Sequence, residues 1–93
     1  MITKKEIKKL KEISEEDHAK DIAQKLNDQG IKPRRSEEYN ARTITRIMRG
    51  EQEDINAEWA IFNHYHELKE RKNELEENRR KLTQTDENGQ LNQ

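Results

Sequence analysis

The side chains in this sequence best suited to recognition chemistry are six cations gathered in "IKPRRSEEYNARTITRIMRG", residues 31 to 50: Lys32, Arg34, Arg35, Arg42, Arg46 and Arg49. Only Glu37 and Glu38 oppose them, so the stretch carries +4 in a chain whose net charge is −1. A guanidinium is a planar fork that can donate two parallel hydrogen bonds to a phosphate, a carboxylate, or the O6 and N7 edge of a guanine. The imbalance extends along the chain: residues 1 to 50 hold 13 Lys/Arg and 9 Asp/Glu, whereas residues 51 to 93 hold 6 and 11. The small net charge therefore hides a basic half and an acidic half.

Helices must position these cations, because the apolar residues recur at helical and not at strand spacing. Ile7, Leu10 and Ile13 predict a short amphipathic helix over 3–13. Ser14, in "SEED", has the character of an N-cap for a second helix, with Asp17 supplying negative charge in its first turn. That helix is expected to run to about Asp28 and to bury Ala19, Ile22, Ala23 and Leu26. Gly30 suits a left-handed C-terminal cap, and Pro33 prevents the helix from resuming at once. After a loop of about ten residues, Asn40 reads as the next N-cap, with Tyr39 and Ile44 at the two ends of a hydrophobic staple. Helix three is then Ala41 to Arg49, closed by Gly50. Asp54 or Asn56 caps a fourth helix that meets no Gly or Pro before Gly89; residues 57 to 82 alone would span roughly 39 Å. The expected fold is all-α: a helix-turn-helix unit of three short helices over 1–54, a long helix over 55–82, and a disordered tail over 83–93.

Composition agrees with a small core. A length of 93 residues allows one domain at most, and apolar residues make up 28% of it, well below the ordinary globular share. There is no cysteine, which excludes disulfides and thiolate zinc sites. The opening "MITKKEIKKL" lacks the apolar stretch of a signal peptide, and the longest apolar run, Trp59 to Phe62, is too short to span a bilayer. A cytoplasmic protein with no membrane partner is expected.

On a wheel of about 100° per residue, Ile44, Ile47 and Met48 share one side of helix three, while Arg42, Thr45, Arg46 and Arg49 share an arc of about 100° on the other. Such a face suits a major groove: arginine pairs with guanine, and threonine offers a hydroxyl and a methyl to base edges. Asn40 and Thr43 stand at the helix start, where free amides also favour a phosphate. The expected base-reading set is therefore Asn40, Arg42, Thr43, Thr45, Arg46 and Arg49. Lys32, Arg34 and Arg35, in the loop, are expected on phosphates.

The order of a capped helix, a basic loop and a cationic helix is that of a helix-turn-helix. The segment "IAQKLNDQGIKPRRSEEYNARTITRIMRG" also resembles the helical DNA-binding stretch of large serine recombinases, in its Ile-Ala, Leu-Asn, Gly-Ile, following Arg, aromatic residue, Thr-Ile and final Ile. Where that family usually carries Trp and glycine before the last helix, this chain has "SEEY". "TITRIMRGEQEDI" is similar to small phage-type repressors, whose turn is shorter. The resemblance implies contact with double-stranded DNA and, since 93 residues do not hold the recombinase catalytic domain as well, no strand cleavage. It fits a regulator of transcription or of a mobile element. A protein-interaction module, an adaptor or inhibitor meeting an acidic partner through the basic stretch, is the alternative.

Helix four carries more apolar residues than one stripe needs. Ile61, Leu68, Leu75 and Leu82 recur every seven residues, as in one seam of a coiled coil. A homodimer through Trp59, Ile61, Phe62, Leu68 and Leu75 is expected. His64 and His66 lie two apart on a helix, about 200° from each other, so they do not share an ion; no metal and no cofactor is expected. No phosphate-cradling glycine loop occurs, since the glycines are Gly30, Gly50 and Gly89, and no nucleophile is assembled. Neither an enzyme nor a small-molecule substrate is indicated.

Overall fold

A computed structural model describes residues 1–87, with side-chain environments to residue 83. Four helices follow one another, α1 (Lys4–Ile13), α2 (Ala19–Asp28), α3 (Ala41–Met48) and α4 (Ile55–Glu87), and the described residues contain no strand. Each short helix begins and ends on local chemistry. Thr3 opens α1 with a capping box: its hydroxyl accepts from the Glu6 amide at 3.2 Å, and Glu6 accepts from the Thr3 amide at 2.9 Å. α2 and α3 close alike. In α2 the amides of Gly30 and Ile31 donate to the carbonyls of Asn27 and Leu26; in α3 those of Gly50 and Glu51 donate to Ile47 and Arg46. The glycines adopt φ of +75° and +77°, the left-handed turn that these paired bonds require.

One expected cap is corrected. Ser14 does not start α2; it ends α1, its amide donating to the Leu10 carbonyl at 3.1 Å. Its hydroxyl accepts from the Glu16 amide and meets His18 Nε2 at 2.9 Å. The cap position falls on His18, whose side chain makes no cap bond; Asp17, one residue earlier, accepts from the Ala19 amide at 3.0 Å, and α2 starts only at Ala19. The non-helical link lets α1 turn away and pack on α4, while α2 packs on α3 and α4.

Ile22, Leu26, Ile44, Ile47 and Ile61 are the largest fully buried side chains, drawn from α2, α3 and α4. Burial of each such residue contributes about 1.5–3 kcal/mol, and the small core rests mainly on them. Ile2, Leu10, Ala19, Ala23, Tyr39, Ala57 and Tyr65 complete it. The "HYH" of α4 divides as helical geometry requires. His64 is buried against α2, where Lys25 Nζ meets its Nδ1 at 2.8 Å, and His66 stays exposed beside Glu70 at 3.6 Å.

Between the two candidate caps, Asp54 starts α4: its Oδ1 accepts from the Ala57 amide at 3.0 Å, and its own amide donates to Glu58. The α4 side chains packed on the core end at Leu68, and Lys72 makes a last contact with the end of α1. From Lys69 to Thr83 every residue is exposed, and α4 continues through Glu87, past the expected end at 82. This projection draws the molecule out to 60 × 29 × 17 Å. Residues 88–93, most of the tail expected to be disordered, lie outside the described residues.

Candidate nucleic-acid interface

α3 is the best two-faced of the helices. Ile44 and Ile47 are fully buried and Met48 is partly covered, whereas Arg42, Arg46 and Arg49 are exposed. Arg42, Thr45, Arg46 and Arg49 line one shallow depression, the arc that helical spacing assigned to them. None of the three arginines is in an ion pair among the described residues, so their donors face solvent.

The depression has a fifth member, Glu51, which the sequence did not single out. The left-handed turn at Gly50 brings it back beside α3, its amide on the Arg46 carbonyl. A carboxylate there repels phosphate and can accept from a cytosine amino group. A glycine one residue past the helix was the available signal, since a chain reversal returns the next residue to the helix it has left.

At the other end of α3, Asn40 is exposed and its Oδ1 accepts from the Thr43 amide at 2.9 Å. A bidentate pair with adenine would have to share that oxygen, so Asn40 reaches a base mainly through its amino group. Thr43 is half-buried.

The loop between α2 and α3 is held at both ends. Asn27 spans its base, with Nδ2 donating to the Tyr39 carbonyl at 2.9 Å and Oδ1 accepting from the Tyr39 amide at 2.8 Å. The Tyr39 phenol then donates to Asp54 Oδ2 at 2.8 Å, which ties the start of α3 to the cap of α4. Burial, with the Asp54 carboxylate adding to it, pushes that phenol far above its ordinary pKa. Tyr39 and Ile44 both enter the core, as a staple requires. Lys32, Arg34 and Arg35 stand exposed on the loop.

The residues expected at a dimer contact do not share a surface. Ile61 is fully buried within the chain itself, and Phe62 and Leu68 are partly covered by the same core. Trp59, 63% exposed, lies about 200° round the helix from Ile61. Only Leu75 and Leu82, at 48% and 65%, continue the Ile61–Leu68 stripe into solvent. The expected contact is corrected on this point: α4 spends the first part of the stripe on its own domain.

Among the described residues, no group of three or more His, Cys, Asp or Glu is arranged to hold a metal ion, and no helix is long and apolar enough to cross a membrane.

These features define a class: an all-α unit in which a closely packed helix pair presents an arginine face and a long helix supports the pair from behind. The model of the Recombinase family matches residues 3–88, and the chain belongs to that family. The match widens the recombinase resemblance of residues 22–50 to all four helices and is compatible with a recombinase-associated DNA-binding module. Neither the curated proteins nor the solved structures give a match to the chain.

Proposed function

We propose that this protein is a non-catalytic, sequence-specific double-stranded DNA-binding module of a mobile-element type, reading the major groove with α3. The observation that carries this is the α3 surface, where three arginines that form no ion pair among the described residues share one open face with Thr45 and Glu51, while Ile44 and Ile47 anchor the opposite face in the core. A helix so anchored fixes the backbone positions from which these side chains reach, and fixed starting points let charge be used for base choice. Membership of the Recombinase family supports it. Lys32, Arg34 and Arg35 take phosphates from the pinned loop, and two copies pair along the exposed Leu75–Leu82 part of α4, each engaging a half-site.

The test compares Arg46→Ala with Arg34→Ala on a duplex selected from random sequence and on scrambled duplex. Arg46→Ala should cost about 1–3 kcal/mol on the selected duplex and relax base choice at one position. Arg34→Ala should weaken both duplexes alike and lower the salt slope by about one unit. The reverse pattern would make the loop the reader. Absence of any shift at micromolar protein and low salt would leave the protein-interaction alternative in possession.

A further inference from the structure

α1 has no part in the interface described so far, yet it is the most basic helix of the chain: five lysines, Lys4, Lys5, Lys8, Lys9 and Lys11, in ten residues. All five are exposed, and none is in an ion pair among the described residues. Glu6 is engaged by the Thr3 cap. Glu12 is the one carboxylate spaced to pair with Lys8 along the helix, and it forms no ion pair with it.

Lys4, Lys8 and Lys11 fall within a stripe of about 60°, clear of the Ile7, Leu10 and Ile13 side that meets the core. Along the axis the stripe covers roughly 10 Å, the rise of about three base pairs at 3.4 Å each. At its far end Lys8 and Lys11 line a shallow depression together with Lys72 of α4, whose ammonium donates to the Ile13 carbonyl at 3.0 Å, and with the carboxylates Glu12 and Glu15, so the cationic grip is centred on the Lys4–Lys8 part of the stripe. At its near end the carbonyl of Ile2 lies against Gly50, so tightly that a Cβ at Gly50 would overlap it. α1 therefore starts where α3 stops, one residue past Arg49.

The two helices also divide the cations by type. α1 contains lysine and no arginine, whereas Ala41 to Arg49 contains arginine and no lysine. Lysine is a point charge on a flexible stem, suited to a phosphate whose neighbouring base is immaterial; arginine is the fork that discriminates an edge.

We propose that the Lys4–Lys8–Lys11 stripe of α1 is a second nucleic-acid surface, which grips the phosphate backbone beside the bases that α3 reads. The proposal rests on α3 being the reader and adds a sequence-independent clamp to it. Duplex lying along α3 runs on past the C-terminal end of that helix, where the first α1 lysines begin, and the stripe neutralises about three phosphates there.

The experiment uses the full chain carrying Lys4→Gln, Lys8→Gln and Lys11→Gln together, titrated against the selected and the scrambled duplex at several salt concentrations. The log–log salt slope should fall by about two to three units. Affinity for both duplexes should drop by the same factor, so that their ratio stays within twofold of the unaltered protein. An unchanged thermal midpoint verifies the fold, and single Gln variants, each lowering the slope by about one, serve if the triple variant melts early. A slope equal to that of the unaltered protein overturns the proposal while leaving α3 as reader. So does an unchanged slope accompanied by lost binding to phosphatidylserine vesicles, which would make α1 a lipid surface. If the unaltered protein binds neither duplex, the α3 reading fails and the clamp with it.

Discussion

His64 sits where α2 and α4 close over it, and its protonation state follows from its neighbours. The Lys25 ammonium has only protons to offer, so Nδ1 accepts at 2.8 Å and the ring's own proton sits on Nε2, which is buried and meets no acceptor. The His18 ring stands 4.9 Å away. Burial first, then the charges of Lys25 and His18, lower the His64 pKa, while Asp21 and Glu67 pull weakly the other way. An unfolded histidine titrates near 6.5, so below that pH the unfolded chain binds a proton that the folded one refuses. Stability should therefore be full above about pH 6.5 and fall as the pH drops toward the folded-state value, by at most about 1.4 kcal/mol per unit. Urea melts at pH 7.5 and 5.5 should show this loss in the unaltered protein and a smaller one in His64→Leu. Parallel losses in the two would assign the titration elsewhere.

The elements are held in place by short chemical devices at their ends, and the two left-handed glycines show how differently equal backbone angles can behave. Gly30 and Gly50 differ by 2° in φ. A methyl group at Gly30 meets nothing within 4 Å, whereas at Gly50 it strikes the Ile2 carbonyl. Gly30→Ala should thus cost only the left-handed penalty, about 1–2 kcal/mol. Gly50→Ala should cost clearly more, because the segment leading into α1 must also move off the end of α3. Thermal melts of the two variants make the comparison. Equal losses would mean that the Ile2–Gly50 contact has little weight in seating the segment before α1 on the end of α3.

At the scale of the whole molecule, a compact end and a projecting helix do separate work. From Lys69 to Thr83 α4 has no covered residue; its helicity there rests on propensity and on side-chain pairs such as Glu77 with Lys81 at 3.9 Å. Ending the chain after Asn73 keeps the Lys72 bond to Ile13 and should leave the thermal midpoint equivalent to within about 0.5 kcal/mol. Association should behave otherwise. If the exposed Leu75–Leu82 seam joins two copies, sedimentation at tens of micromolar should show a dimer that Leu75→Glu dissociates without lowering the melting point. A monomer under those conditions would remove pairing from the proposed function and leave the arginine face untouched.

Much of the fold was legible because its causes are local. The number of helices, the Asn40 cap, the glycine stops at Gly30 and Gly50, and the division of α3 between Ile44/Ile47 and its arginines depend on residues within about a turn of one another. Ser14 misled because a serine before acidic residues satisfies the capping rule in either of two settings. Whether it starts α2 or closes α1 is decided by α1 packing on α4. Nor could spacing alone separate the two uses of the heptad stripe: Ile61 is spent on the chain's own core and Leu75 is not, because the other helices end there. The bonds from Asn27 to Tyr39 and from Tyr39 to Asp54, and the Ile2 contact that seats the segment before α1 on the turn after α3, join residues 12, 15 and 48 positions apart. Helical periodicity fades over a few turns and carries no record of such pairings. Local spacing assigns each side chain to a helix face, whereas which faces meet is set by packing between segments far apart in the chain.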